Sequence, residues 1–301
     1  MSERFFYPPK NYKPFSWKVN NQQVCFWGSN QYLFFNLDGT LSHRTNGRFS
    51  PFIGKFIAFH NYYVGYVPNY NGNSTIRIAF NDKTGNLIDT IPNYRSWAST
   101  PSITGLSSNG GWLYVYDNNL YLKELSCDTL FQIEDFVLHP RYIFNTGGRM
   151  VPYELQDLSR RAYFSGLNGT IVEDQYEKYV IILKIFENKK HLYFTIEYRK
   201  QLYPAIYDKL ENMLRILPPV NVPSSRRDQT ISLYGFENDL DDGLPFWPMQ
   251  IISDKEMMCV YSAEELLGLD ESKITDEKLK KLLNNLDEDS NPVVAIVTLK
   301  D

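Results

Sequence analysis

Only three cysteines, Cys25, Cys127 and Cys259, are spread over 301 residues. Their odd number and wide spacing exclude a disulfide framework and a Cys-x-x-Cys metal knuckle, and read as three separate semi-buried thiols. Histidine is as sparse: His43, His60, His139 and His191 show neither His-x-x-x-His nor His-Glu-x-x-His spacing, so no metal site assembles from local sequence. There is no Gly-x-Ser-x-Gly elbow, Walker loop or dinucleotide fingerprint. Paired carboxylates such as Glu173-Asp174 and Asp241-Asp242 are neighbours along the chain, which says nothing about the separation a hydrolase sets across its substrate. Catalysis therefore has no positive support in these letters. No apolar run reaches the roughly eighteen residues of a membrane helix. Met1 to Phe6 leads into Pro8-Pro9 instead of an apolar signal core, so neither a transmembrane segment nor an export signal is expected in the chain as written. Positive charge is short as well. The net charge is -4, and no basic cluster exceeds Arg226-Arg227 or Lys280-Lys281, so nucleic acid is not an expected partner.

Aromatic side chains, by contrast, are abundant: 22 Tyr and 19 Phe within a 43% hydrophobic composition. A core of that size needs no covalent staples, and aromatic residues favour the half-buried surface of a pleated sheet. The clearest local pattern is Ile76 to Asp89. Ile76, Ile78 and Phe80 alternate with Arg77 and Ala79 at the period of a strand, and Asn81-Asp82-Lys83-Thr84-Gly85-Asn86 supplies turn chemistry before Leu87-Ile88. A related hairpin, Phe35-Asn36-Leu37-Asp38-Gly39-Thr40-Leu41, precedes it by about 45 residues, and a worn third copy, Leu125-Ser126-Cys127-Asp128-Thr129-Leu130, follows it by about 45. Short strands recur between the turns. Three are read at Gln22 to Leu41, four each at Pro51 to Asp89 and at Ser102 to Ile133, a fourth group at Tyr179 to Leu217, and the start of a fifth at Gln229 to Phe236.

Short strands returning with one turn at one interval match the blades of a β-propeller, whereas a two-sheet sandwich has no reason to repeat a turn at fixed spacing. The expectation is an all-β chain: a single β-propeller domain over residues 1–301, with about five blades discernible and the ring incomplete or open. Residues 1–20, aromatic and broken by Pro8, Pro9 and Pro14, read as an extended segment on a sheet or its edge. Residues 149–178 read as an insertion with a short helix around Pro152 to Arg161. Two short C-terminal helices are expected within about 262–288, inserted in the last blade. Ser262-Ala263-Glu264-Glu265 has the order of a capping box, and Leu279, Leu282, Leu283 and Leu286 form one apolar stripe.

At Asp128-Thr129-Leu130-Phe131-Gln132-Ile133, followed by His139-Pro140-Arg141-Tyr142, the sequence resembles the bacterial six-bladed β-propeller family of TolB-like type. Asn238-Asp239-Leu240-Asp241-Asp242-Gly243-Leu244-Pro245-Phe246-Trp247-Pro248 is similar to a second motif of that family, with Asp242 where a glycine is usual, and Asn291-Pro292-Val293-Val294 to its C-terminus. The resemblance implies a six-bladed ring and a periplasmic or cell-surface lipoprotein setting, but no agreed reaction or ligand.

Candidate ligand-binding residues follow from residue type. Asp239 and Asp241 share one face of an extended backbone, and with Asp242 and nearby carbonyls they could supply the oxygen set of Ca²⁺; a solvated acidic turn before Pro245 explains the same letters. Apart from that ion, no cofactor is expected. Trp247, between Phe246 and Pro248, reads either as a stacking platform for a sugar or peptide or as a plug between adjacent blades. His139 and Arg141 flank Pro140, where a loop at a blade top would aim them at the central channel. The expected function is a non-catalytic binding or interaction module for a small molecule, glycan or protein. A propeller-scaffold enzyme acting on glycans, a lyase or hydrolase, is the alternative. Three or more ionisable side chains converging at the channel mouth would favour the enzyme, and an aromatic mouth the binder.

Overall fold

The computed structural model describes residues 14–20, 23–28, 31–36, 38, 40–47, 49, 55–67, 69, 72–96, 111–153, 177–199, 201–221, 235–238, 243–270, 272–288 and 290–299. The chain divides into two compact units, Met1–Gln175 and Tyr176–Asp301. Both are built from antiparallel sheets of the β-propeller class, in which strands adjacent in a sheet follow one another along the chain, the two-residue strand Val220–Asn221 apart.

In the first unit, sheet one consists of β1 (Pro14–Asn20), β2 (Gln23–Gly28), β3 (Tyr32–Asn36) and β4 (Leu41–Arg44). Sheet two consists of β5 (Lys55–Phe59), β6 (Tyr62–Tyr66), β7 (Ile76–Asn81) and β8 (Leu87–Pro92). Sheet three consists of β9 (Gly111–Tyr116), β10 (Asn119–Glu124), β11 (Thr129–Glu134) and β12 (Val137–Ile143). Each is a four-stranded meander. The period of two then decides how the sheets stack. Tyr63 and Ala79 of sheet two pack with Cys25, Tyr32, Phe34, Phe49 and Phe56 in one cluster. The residues beside them in sequence, Val64, Ile78 and Phe80, pack with Leu120, Leu122 and Ile133 of sheet three in another. Sheet two is thus apolar on both faces and lies between its neighbours. Each enclosed large side chain contributes roughly 1.5–3 kcal/mol.

The hairpins close by a shared device. In the β3–β4 turn Asp38 Oδ1 accepts from Thr40 N (2.9 Å) and Thr40 Oγ1 (2.6 Å). In the β7–β8 turn Asp82 Oδ1 accepts from Thr84 N (2.9 Å), Thr84 Oγ1 (2.7 Å) and Asn86 N (2.9 Å). A carboxylate that takes the amide two residues on holds the bend without help from the rest of the fold. The supposed third copy departs from this scheme. Asp128 lies between β10 and β11, the second and third strands of its sheet, whereas Asp38 and Asp82 follow third strands. Sheet three extends to Ile143, so its fourth strand is Val137–Ile143, and the expected first strand at Ser102 falls outside the described residues. Its third-to-fourth turn uses Asp135 and Phe136 instead, both at positive φ (47° and 59°). The Phe136 ring packs edge-on against Phe80 at 4.8 Å, which offsets the backbone strain.

In the second unit, β13 (Ile181–Glu187), β14 (His191–Tyr198), β15 (Gln201–Asp208) and β16 (Met213–Ile216) form a sheet to which β17 (Val220–Asn221) adds beside β15. Asp208 accepts from Leu210 N (2.8 Å) and Glu211 N (2.9 Å), so the Asp-led turn recurs after this third strand. A three-stranded sheet follows: β18 (Gln250–Ile251), β19 (Glu256–Tyr261) and β20 (Val293–Thr298). Among the described residues there are three four-stranded sheets, the five-stranded sheet of β13 to β17 and this three-stranded one, where the sequence reading expected about five blades. Both helices, α1 (Ala263–Leu267) and α2 (Glu277–Leu283), lie in the connection between β19 and β20, which pair with each other along their whole length. The capping box at Ser262 and Glu265 is formed, and Asp276 caps α2 by accepting from Leu279 N (2.8 Å). Leu279 and Leu283 of the α2 stripe are buried. The short helix expected around Pro152 to Arg161 falls mostly outside the described residues.

Candidate functional site

Where sheets one and two meet, β4 and the β7–β8 turn border an open surface pocket of about 350 Å³ lined by Ser42, His43, Arg44, Lys83 and Thr84, all of them exposed except the half-buried His43. Two hydrogen bonds pin its walls together. Tyr63 Oη, from β6, meets His43 Nε2 at 2.7 Å, and Asn46 N donates to Thr84 O at 2.8 Å. The His43 ring stacks on Phe34 at 4.4 Å, and its Nδ1 lies 3.1 Å from Ser42 Oγ. Both ring nitrogens therefore face hydroxyls that can donate or accept, and either tautomer is served. Burial and the nearby Lys83 ammonium push the His43 pKa down, which holds the ring neutral at physiological pH. Beneath the wall, Thr45 Oγ1 accepts from Tyr32 N (2.9 Å). Gly85, at φ +97°, leaves room for Thr45; a Cβ there would sit 3.1 Å from Thr45 Cβ.

Charge in the pocket is one-sided. Arg44 and Lys83 are exposed and make no side-chain hydrogen bond or ion pair with the described residues. The nearest acid along the turn, Asp82, is occupied by Thr84 and Asn86. The residue before it is more unusual. Asn81 is 0% exposed, yet neither its Nδ2 nor its Oδ1 has a hydrogen-bond partner. It pairs across from Tyr63 and shares a face with Ala79, so it lies on the side of sheet two that meets sheet one. Each buried polar group left unmet costs about 1–3 kcal/mol, so this carboxamide is expensive as it stands.

Elsewhere among the described residues, several buried charges have partners. Between sheets two and three, Glu124 of β10 (2% side-chain exposure) is held by both Arg77 and Arg95. Lys123 Nζ donates to the carbonyls of Glu124 (2.5 Å) and Cys127 (2.6 Å), and burial lowers its pKa to about 8. In the second unit Lys209 Nζ meets the buried Glu187 Oε1 at 2.5 Å.

The residues singled out from sequence are dispersed. Asp239, Asp241 and Asp242 fall outside the described residues. Trp247 is 2% exposed, with Phe236 at 5.7 Å and Tyr193 at 6.2 Å, so its ring is a core element of the second unit and presents no stacking face to solvent. His139 and Arg141 lie within β12, an edge strand, and not in a loop. His139 is exposed opposite Gln132, and the Arg141 guanidinium sits 4.3 Å over the Tyr121 ring. Edge placement also explains how Pro140 fits a strand, since no ladder donor is required on the outer side. Sequence reasoning passed over Arg44 and Lys83. Their signal was the repeated turn itself, but bringing β4 of one hairpin onto the turn of the next needs the sheet stacking.

The domain family described as Domain of unknown function (DUF4934) matches residues 10–298. No curated protein matches the chain. Among solved structures, the chain is similar to a protein from Bacteroides fragilis described as exported, at 15% identity and a TM-score of 0.60, covering 95% of this chain and 77% of that one. A member of the DUF4221 family from Bacteroides vulgatus matches at 12% identity and a TM-score of 0.41, over 67% of this chain and 64% of that one.

Proposed function

We propose that this chain, which belongs to the DUF4934 family, is a non-catalytic binding module of the β-propeller class that receives a soluble ligand in the pocket between its first two sheets. The observation that carries this reading is the preformed wall. His43 is fixed by Tyr63 and by stacking on Phe34, and Thr84 is tied across to Asn46, so a ligand would meet a site that needs little ordering on binding. The one imidazole of the pocket, His43, is committed to these structural bonds, which suits recognition more than proton transfer by that ring. An extracytoplasmic setting belongs to the same proposal. It is supported by the TolB-like motifs and by the likeness to a protein described as exported. The test is a thermal-shift screen of sugars, sugar acids, peptides and Ca²⁺ on the wild type and on Thr84→Trp, which fills the pocket. A compound that raises Tm in the wild type but not in Thr84→Trp is the expected result. Shifts that survive the substitution would place binding elsewhere, and no shift with any compound would remove the small-ligand reading.

A further inference from the structure

We infer that β20 is the docking edge of a reversible homodimer, in which the same strand of a second copy lies antiparallel beside it on a two-fold axis through Ile296. This dimer is independent of the ligand-binding role proposed above. An edge strand presents unpaired backbone donors and acceptors, and sheets ordinarily blunt such edges with charge, proline, bulges or shortness. The last strands of the other four sheets carry such devices. β4 has Arg44 and a register shift, β8 has Asp89, Pro92 and register shifts, β12 has Pro140, Arg141 and a register shift, and β16 has only four residues and Arg215. β20, Val-Val-Ala-Ile-Val-Thr, runs for six residues without charge, proline or glycine and keeps unbroken register with β19. The uncharged first strand β9 shows only Val115 to solvent, whereas Val294 and Ile296 of β20 are 54% and 59% exposed.

The open edge fits its own copy. Leu299 N donates to Lys255 O (2.7 Å), on the β19 side. Backbone direction alternates along an antiparallel ladder, so the N–H and C=O of Val294, Ile296 and Thr298 point to the outer edge. None of them has a hydrogen bond there among the described residues. A second β20 satisfies them all when Ile296 faces Ile296 of the second copy and Val294 faces its Thr298. Moving the axis to Ala295 would set Pro292, which has no N–H, opposite Thr298. On the exposed face the Ile296 register aligns Met258 and Ile296 with their two symmetry copies in one apolar row. Flanking charge favours the same direction. Exposed Asp287 and Glu288 precede β20 and exposed Lys255 adjoins its end, so antiparallel pairing brings unlike ends together. The strand spans only about 20 Å, short of the roughly 1,200 Å² that a lasting interface buries, so the dimer is weak and exchanges.

Sedimentation velocity on the full chain, from about 5 to about 500 µM, reads this equilibrium. The wild type is expected to pass from monomer to dimer with a dissociation constant on the order of 100 µM. Ile296→Lys and Ile296→Asp each set like charges opposite one another at the axis, and each is expected to stay monomeric across that range. Mixed in equal amounts, the two variants place unlike charges there and are expected to recover a dimer. Because the side chain is exposed, each variant should keep the wild-type Tm to within about 3 °C. A wild type that is still monomeric at about 500 µM would overturn the homodimer. A dimer that survives both substitutions would put the contact on another surface and overturn β20 as its seat. Variants that are monomeric alone and fail to recombine would overturn the axis at Ile296.

Discussion

Asn81 and Asp82 are adjacent and meet opposite fates: one polar side chain is enclosed without partners, the other nearly exposed with four hydrogen bonds. Burial pushes the Asp82 carboxyl up, but the bonds from Thr84 and Asn86 more than reverse this and bring its pKa to about 2, from 3.8. Because the folded value lies below the unfolded one, the contribution is complete above about pH 4 and is lost as the pH falls toward 2. Urea midpoints of wild type and Asp82→Asn should therefore differ near neutral pH and converge in acid. His43 works in the same direction at higher pH. Its folded pKa is pushed below 6.5 by burial and Lys83, so below that pH the unfolded chain takes up a proton the native ring refuses. Stability should fall between about pH 7 and about pH 5 by more in the wild type than in His43→Phe. A steeper fall in the variant would contradict the burial argument. Gly235 provides a test independent of charge. At φ +138°, a Cβ there would lie 2.2 Å from the Phe246 carbonyl oxygen, against the segment that carries Trp247. Gly235→Ala should cost about 2 kcal/mol or more in chemical denaturation.

Single elements gain their stability from how two sheets share them. Strand β10 sends Leu120 and Leu122 into the cluster with sheet two, and ends at Glu124, whose carboxylate draws Arg77 of β7 and Arg95 together. Removing one member of a buried ion network leaves the others desolvated and uncompensated, which costs about 3–5 kcal/mol. Glu124→Gln is expected to lower stability by that order in urea titration, and an effect below about 1 kcal/mol would mean that the two guanidinium groups relax to solvent. The same scale explains a misreading. The Asp-x-Thr letters specify a tight reversal wherever they stand, so Asp38 and Asp82 were read correctly as hairpins. They do not specify which strands are joined. The interval to Asp128 resembled a repeat, while the true third-to-fourth turn of sheet three hides in Asp135-Phe136, letters that carry no turn signature because the Phe136 ring is retained for its packing on Phe80. Proline in β12 misled in the same way, since it suits a strand only at a sheet edge.

Across the whole chain the net charge is -4, yet the pocket at the first seam presents two cations. Attraction of an anion is therefore local, within the roughly 8 Å screening length of physiological salt, and the sequence holds no long basic run to attract a polyanion. Duplex DNA should give no retarded complex in a mobility assay at about 0.15 M salt, and a complex there would contradict the charge argument. The class of the fold was legible because period-two alternation and Asp-led turns are local properties: they act over a few residues and need no neighbour. So were the two C-terminal helices, whose caps and apolar stripe are written in consecutive letters. The candidate site was not legible. Arg44 draws no reading, Lys83 and Asn81 read as part of a turn, and Trp247 reads equally as a stacking face or a plug, because none of these residues carries in its own letters the identity of what stacks against it. Sequence alone determined that this chain pleats into short antiparallel sheets. Only the face-to-face packing of those sheets decided which polar groups were enclosed and which charges were left facing one another, since burial is a property of the pair of surfaces and not of either strand.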